Sequence, residues 1–231
     1  MKDVITVMKS IEGCPFFCSW SGGKDSCLAL YRAIKEKGVP QALFTMLSED
    51  GERSRSHGLP LNLIKAQSEA LGIPLVARES SWEDYEDNFL TVIHRFKEQG
   101  IECGVFGDID LKGHLEWVER VCSAEAIRPY EPLWKEARTD ILKEFLELGF
   151  EAKVIVIKQG TLDKSFLGRT LDLKVIADMV EAGIDASGEE GEYHTVVTDG
   201  PIFSFPVKLQ EKGRILRDGY WFLEVSREAD R

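Results

Sequence analysis

Six residues, Ser21-Gly22-Gly23-Lys24-Asp25-Ser26, lie between an apolar run, Phe16-Phe17-Cys18-Ser19, and a helical pattern that opens at Ser26. The run has the length of a buried strand. The pattern puts Cys27, Leu30, Tyr31 and Ile34 on one helix face out to about Lys37, and Gly38 stops it. A strand that turns through two glycines into a helix points to an open parallel sheet whose ligand sits beyond the carboxyl ends of the strands. Gly22 and Gly23 are expected to adopt positive φ and to let backbone N–H groups approach an anion. The helix N-terminus adds partial positive charge and Lys24 a full one. Ser21 and Ser26 offer hydroxyls. Ser26 or Asp25 is expected to cap the helix, or Asp25 to hold Mg²⁺ between phosphate oxygens. The order is neither G-x-x-x-x-G-K-[ST] nor G-x-G-x-x-G, so neither a Walker loop nor a dinucleotide fold is indicated. The plain alternative is a glycine–serine turn without a ligand.

Strand and helix patterns then alternate. Ala42–Leu47 reads as a strand, Leu63–Leu71 as a helix ended by Gly72, and Pro74–Ala77 as a strand. Tyr85, Phe89, Val92, Ile93 and Phe96 share a helix face. Cys103–Phe106 reads as a strand ending at Gly107-Asp108, and Leu115, Val118 and Cys122 mark a further helix. This spacing predicts parallel βαβ units with right-handed crossovers. Arg128-Pro129 and Glu131-Pro132 break the pattern. Beyond them come a helix with Ile141, Leu142, Phe145 and Leu148 on one face and a strand at Lys153–Ile157. Ile176, Met179 and Val180 face one way on another helix. Strand-like stretches follow at His194–Thr198, Val207–Gln210 and Trp221–Val225. The expected fold is α/β: a parallel-sheet ligand-binding domain over 1–127 and a smaller α+β domain over 128–231, packed together without a long linker.

Composition narrows the partners. A net charge of −11 repels phosphate backbones at long range, which argues against a broad nucleic-acid face while leaving room for a small basic cleft. No run of about 20 apolar residues exists to span a membrane. Met1–Ser10 carries Lys2, Asp3 and Lys9 and does not read as a secretory signal. Cys14, Cys18, Cys27, Cys103 and Cys122 make an odd number, which suggests reduced cytosolic thiols, not a disulfide scaffold. Cys14 and Cys18 are read as small buried or loop residues, not as metal ligands.

In its strand–loop–helix setting, the string S-G-G-x-D-S resembles the phosphate loop of the PP-loop ATP pyrophosphatases. These belong to the adenine-nucleotide alpha-hydrolase superfamily, whose domain is of HUP type. The resemblance implies a loop that cradles the β and γ phosphates of ATP, and chemistry that adenylates a carboxyl or carbonyl oxygen. It extends further. Gly104–Ile109, Glu116–Arg120, Pro132-Leu133-Trp134, Leu167-Gly168-Arg169, Gly188–Thr195 and Asp199–Phe203 are similar to the diphthine–ammonia ligase family over nearly the whole chain. That family amidates diphthine, a modified histidine of translation elongation factor two, using ATP and ammonium and releasing AMP and pyrophosphate in the cytoplasm. One position departs: where the family pattern G-E-x-G-E-[FY]-E-T has its last Glu, this chain has His194. His at this place also occurs in relatives from bacteria, which make no diphthamide, so the ATP chemistry carries over more safely than the protein acceptor.

The expected ATP contacts are Ser21, Gly22, Gly23, Lys24, Asp25, Ser26 and Gly107, with the backbone at Met46 holding adenine. Asp25 and Asp108 are the candidates for Mg²⁺. Lys24, Asp25, Asp108, Glu189 and Glu192 are the candidates for catalysis. Glu189, Glu190 and Glu192 crowd one glycine-flanked segment. Clustered carboxylates persist when solvated or matched by a cation. The segment reads either as a solvated acidic loop or as a site for ammonium or a trimethylammonium group, with Tyr193 or Trp134 supplying an aromatic face. Arg55, Ser56 and His57 follow the second strand; of these His57 is a further candidate for phosphate or substrate contact, as is Arg169 for a carboxylate or phosphate, each equally readable as a surface residue. Two other classes stay in view: an RNA-modifying enzyme acting on a tRNA base, disfavoured by charge and cysteine spacing, and a nucleotide-binding protein without turnover. A homodimer is left open.

Overall fold

The computed structural model describes residues 8–228, so most of the N-terminal stretch read above for a secretory signal lies outside the described residues. Five strands, β1 (Pro15–Ser19), β2 (Val39–Leu47), β3 (Leu75–Glu79), β4 (Cys103–Val105) and β5 (Arg128–Tyr130), form one parallel sheet in the order β3-β2-β1-β4-β5. The order reverses direction at β1, which opens a crevice between the carboxyl ends of β1 and β4. Arg128–Tyr130, assigned to the second unit by the proline signal, is the fifth strand of this first sheet, because its pairing with β4 needs only three residues.

Alternate residues of these strands enter two cores, as a sheet covered on both faces requires. Phe16, Cys18 and Leu43 face one core; Phe17, Phe44 and Met46 face the other. Helices α3 (Tyr85–Glu98) and α4 (Lys112–Ala124) close the second core with Phe89, Ile93, Phe96 and Val118. Helices α1 (Lys24–Lys35) and α2 (Leu61–Leu71) lie in the first core, with α5 (Arg138–Glu147). Helix α1 buries more than the predicted stripe: Leu28, Ala29 and Ala33 are buried along with Cys27 and Leu30, because other elements pack on it from a second side.

Those elements belong to a four-stranded antiparallel sheet, order β7-β6-β9-β8, made of β6 (Glu151–Lys158), β7 (Tyr193–Asp199), β8 (Leu209–Arg217) and β9 (Tyr220–Arg227). Val154, Val156, Val196 and Val197 join the same core as α1 and α2, so the two sheets share one apolar interior. Helix α6 (Leu173–Glu181) buries Val175 and Met179, whereas Val180 is exposed, so the predicted face Ile176-Met179-Val180 is turned by part of a turn. No described helix is long and apolar enough to cross a membrane.

The expectation of five free thiols is corrected at one pair. Cys14 and Cys103 form a disulfide, with Cα atoms 6.4 Å apart. The cause is topological: the β1–β4 register sets Phe16 beside Cys103, which brings Cys14 to the same end of the sheet across 89 residues of sequence. Cys18, Cys27 and Cys122 are buried free thiols, pushed up from the ordinary thiol range by burial.

Candidate active site

After β1 the chain passes through Trp20–Gly23 and enters α1 at Lys24, two residues earlier than the apolar pattern indicates. Gly22 has φ +80, as expected. Gly23 does not: its φ is −93, and its lack of a side chain answers a different need, since a Cβ there would collide with the His57 ring and lie 3.2 Å from the Thr195 carbonyl. Neither Ser26 nor Asp25 caps the helix. Gly23 holds the capping position without a side-chain bond, because Ser26 already lies within the first turn. The Ser26 hydroxyl donates instead to the Gly23 carbonyl at 3.1 Å and meets the Ser21 hydroxyl at 3.0 Å. Across the crevice, a Cβ on Gly107 would stand 2.9 Å from the Asp25 carbonyl, so the end of β4 can press against the start of α1 only without a side chain.

The late segment docks directly on this loop. The Val197 N–H donates to the Gly22 carbonyl at 2.9 Å, and the Lys24 N–H donates to the Thr195 hydroxyl at 3.1 Å. Gln67, fully buried on α2, ties the two together: its amide donates to Gly22 O at 3.0 Å and Val197 O at 2.8 Å, and it accepts from the Trp20 indole at 3.0 Å. Loop and strand β7 therefore form one hydrogen-bonded unit.

Beside this unit opens a cavity of about 570 Å³, lined also by the end of β2 and by residues of α3 and α4. That volume is within the range of small-molecule sites. Ser21, Lys24, Asp25, Ser26, Gly107 and Asp108 line the cavity, and so does Glu189, close enough for its charge to act on Lys24 and to be acted on by Asp25. Lys24 is buried, with its Nζ 2.7 Å from Asp25 Oδ2. Burial opposes its charge, but the ion pair with Asp25, helped by Tyr193 and Glu189, holds the ammonium above its ordinary pKa. Asp25 Oδ1 is buried and has no hydrogen-bond partner among the described residues. Asp108 accepts from His114 Nδ1 at 3.0 Å, and this bond raises the imidazole pKa. Burial first, and then the charge of Asp25, pushes the Glu189 carboxyl up to about 7. Met46 also lines the cavity, and its carbonyl accepts from the Arg55 N–H at 3.0 Å.

Two stacked imidazoles complete the lining. The rings of His57 and His194 lie 4.5 Å apart and 21° from parallel, and His57 Nδ1 donates to the Thr195 carbonyl at 3.2 Å. Burial lowers His57 to about 4 and His194 to about 3, with Lys24 and the neighbouring ring also opposing charge on His194, so both are neutral at pH 7.

Not every predicted residue reaches the cavity. Glu192 is 8% exposed, and its Oε2 turns back to accept the Glu190 N–H at 3.1 Å; it does not line the cavity. Arg169 pairs with Asp178 at 2.6 Å, away from the cavity lining, and Trp134 is likewise absent from it.

The amino-acid sequence matches the model of the diphthamide synthase N-terminal domain over residues 16–129 and that of the C-terminal domain over residues 137–229. The chain belongs to the diphthamide synthase family. It is 25% identical over 232 residues to the diphthine–ammonia ligase of Rattus norvegicus, covering 89% of this chain and 86% of that protein. It is 26% identical over 232 residues to the Homo sapiens diphthine–ammonia ligase, with the same coverage. A solved structure described as a predicted subunit of tRNA methyltransferase from Methanocaldococcus jannaschii is 14% identical, with a TM-score of 0.41; the match covers 81% of this chain and 100% of that one.

Several residues that shape the site in this family member were not read from the sequence. Gln67 had a signal: one amide side chain among Leu63, Ile64, Ala66 and Ala70 on an otherwise apolar helix face. Arg138 had none. It bonds both oxygens of Asp110 at 2.7 Å and Asp185 at 2.7 Å, and Asp185 in turn accepts the Glu189 N–H at 3.3 Å. Arg138, Asp110 and the turn at 185–189 come from three separate parts of the chain, so Arg138 positions the Glu189 turn through contacts that only folding creates.

Proposed function

We propose that this chain is an ATP-dependent ligase that activates a carboxylate as an adenylate, amidates it with ammonia, and releases AMP and pyrophosphate. The observation that supports it most is the docking of the late segment on the loop, which brings Glu189 and Lys24 into one cavity. The loop, the start of α1 and Lys24 would meet the leaving phosphates. Glu189, with a pKa of about 7, would take a proton from ammonium and leave ammonia as the nucleophile. Among the described residues no group of three or more His, Cys, Asp or Glu side chains forms a metal cage. The unpartnered Asp25 Oδ1 nevertheless suits a hard cation that also binds phosphate, so Asp25 and Asp108 would hold Mg²⁺, which would neutralise phosphate charge.

The acceptor taken first is diphthine on elongation factor two, in the cytoplasm, where the Cys14–Cys103 bond would stand largely reduced. A second reading has its own observation. His194 stands where the family pattern has Glu, and a neutral imidazole offers no charge to a trimethylammonium group. On that reading the chemistry is unchanged and the acceptor is a different carboxylate. The test is a pyrophosphate assay with ATP, ammonium and diphthine-bearing elongation factor two, beside a panel of small carboxylic acids, with the amide followed by mass spectrometry. Amide on the protein supports the first reading and amide on a small acid the second. ADP as the main product, or no pyrophosphate with any acceptor, refutes both.

A further inference from the structure

Among the basic residues lining the cavity, Lys24 and His114 each have a carboxylate oxygen within 3.0 Å, and His57 and His194 are neutral. Arg55 differs. Its side chain is 13% exposed, and its Nε and Nη2 are buried without a hydrogen-bond partner among the described residues. Its Nη2 makes only a long ion pair with Glu49, at 3.7 Å, beyond hydrogen-bond reach, and that carboxylate is itself 73% exposed. A guanidinium with unmet N–H groups is costly to bury, so its place at a cavity calls for an anion.

The surroundings hold it there. The guanidinium carbon sits 4.6 Å from the centre of the Trp82 ring, and Trp82 stacks on Tyr85 with ring centres 5.8 Å apart. Both rings line the cavity, although Trp82 is 70% exposed. Stacking on an indole fixes the plane of the guanidinium and keeps its edge free. The Arg55 backbone N–H is fixed as well, by its bond to the Met46 carbonyl at the end of β2. A planar, pre-aimed fork of N–H donors fits the paired oxygens of a carboxylate or phosphate.

We propose that Arg55, on its Trp82–Tyr85 shelf, is an oxyanion-binding subsite of this cavity, separate from the loop at 21–26. Resting on the ligase reading above, the oxyanion is either the acceptor's carboxylate or a phosphate of the nucleotide. The two sources share one chemistry and differ in what competes for the site.

The experiment uses Arg55→Met and Arg55→Lys in the full chain, with circular dichroism to verify folding. Binding of a non-cleavable ATP analogue, α,β-methylene ATP, is measured by calorimetry. Benzoate and inorganic phosphate serve as probes, followed by tryptophan fluorescence, with Trp82→Phe identifying the signal of the shelf. Wild-type protein is expected to bind at least one probe with a change in Trp82 emission. Arg55→Met should weaken that binding on the order of tenfold or more, and Arg55→Lys, which keeps charge but loses the fork, should fall between. If the acceptor is the source, the probe binds analogue-loaded protein and Arg55→Met leaves analogue affinity within about twofold. If the nucleotide is the source, the analogue displaces the probe and Arg55→Met weakens the analogue itself by about tenfold. A folded Arg55→Met protein with probe and analogue binding both unchanged overturns the subsite. None of these arms needs turnover, so a chain that binds through Arg55 yet yields no pyrophosphate refutes the ligase reading and leaves the subsite standing.

Discussion

In the loop at 21–26 the charges are matched locally: Lys24 lies 2.7 Å from the carboxylate of the next residue, and the Ser21 and Ser26 hydroxyls meet each other. In the facing segment at 188–195 the chemistry is set by surroundings. Burial raises the carboxyl of Glu189 and lowers the imidazole of His194, so two side chains of opposite type both favour their neutral forms. One wall is written in consecutive residues, and the other is made by what folds over it. Charge in this cavity therefore has two origins, and each can be removed separately by substitution.

The largest effect is expected at the loop. Lys24→Ala removes a charge-assisted contact to phosphate, worth roughly 1.5–3 kcal/mol, and should weaken ATP binding on the order of tenfold or more. Turnover should fall further, on the order of a hundredfold or more, because the same charge meets the leaving pyrophosphate. Calorimetry with ATP checks the first number and a pyrophosphate assay the second. An ATP affinity equal to wild type would mean that the local charge pair is structural only.

Glu189→Gln attacks the other wall. The amide keeps the shape, so ATP affinity should stay within about threefold, while amide formation slows on the order of tenfold or more, most at low ammonium. Wild-type rate should climb between about pH 6 and pH 8 as the carboxyl ionises, and the variant should lose that climb. Stability supplies a second readout. A carboxyl raised to about 7 in the folded state binds its proton more tightly there than in the unfolded chain. The stability it contributes is complete below the unfolded pKa, near 4.5, and is lost as pH rises through 7. Glu189→Gln should therefore gain relative to wild type at pH 8 by roughly 1–2 kcal/mol compared with pH 4, after allowance for partial solvation. Parallel stability–pH curves would show that burial does not control this residue.

His194→Gln tests the opposite sign on the same wall. A buried imidazole lowered to about 3 binds its proton less tightly in the folded state. The stability tied to it is present above the unfolded value of 6.5 and is lost as pH falls through the folded one. Wild-type protein should lose stability between pH 6.5 and pH 4, and the variant should lose about 1–2 kcal/mol less over that window. Denaturant melts at both pH values measure it. An equal loss in both proteins would place the acid sensitivity elsewhere.

The same contrast explains what the sequence made legible. Phe89, Ile93 and Phe96 announce a buried helix face by spacing, and the glycine-rich loop announces a turn into a helix, because both depend on near neighbours. Most of strand β8 carries no such signal: Gln210, Glu211, Lys212 and Arg214 show no apolar alternation. Its signal lay in the turn. Asp218 and Gly219 both have positive φ, the two-residue hairpin that joins β8 to β9. The Cys14–Cys103 bond, the Gln67 bridge and the His57–His194 stack join residues 45 to 137 positions apart, and no local pattern encodes such a meeting.

The smallest effect is expected at Glu192, and it sharpens the comparison most closely because Glu192 lies three residues from Glu189 in the same glycine-flanked turn. By sequence the two are equal candidates for catalysis. By geometry they are not. Glu189 lines the cavity, whereas Glu192 is buried behind it, with Oε2 accepting the Glu190 N–H at 3.1 Å. That bond helps to shape the turn that presents Glu189, a role that needs an acceptor oxygen and not a charge. Glutamine supplies the oxygen, so Glu192→Gln should keep turnover within about twofold and lose no more than about 1 kcal/mol of stability. Glu192→Ala leaves the Glu190 N–H without this acceptor and should cost about 1–2 kcal/mol, with a modest loss of rate from a looser turn. The decisive measurement is the ammonium dependence of amide formation in Glu192→Gln. If it shifts as far as in Glu189→Gln, both carboxylates serve the cation and the local acidic cluster, not burial of one member, defines the wall. If it does not shift, the charge that matters is the one that folding turns toward Lys24.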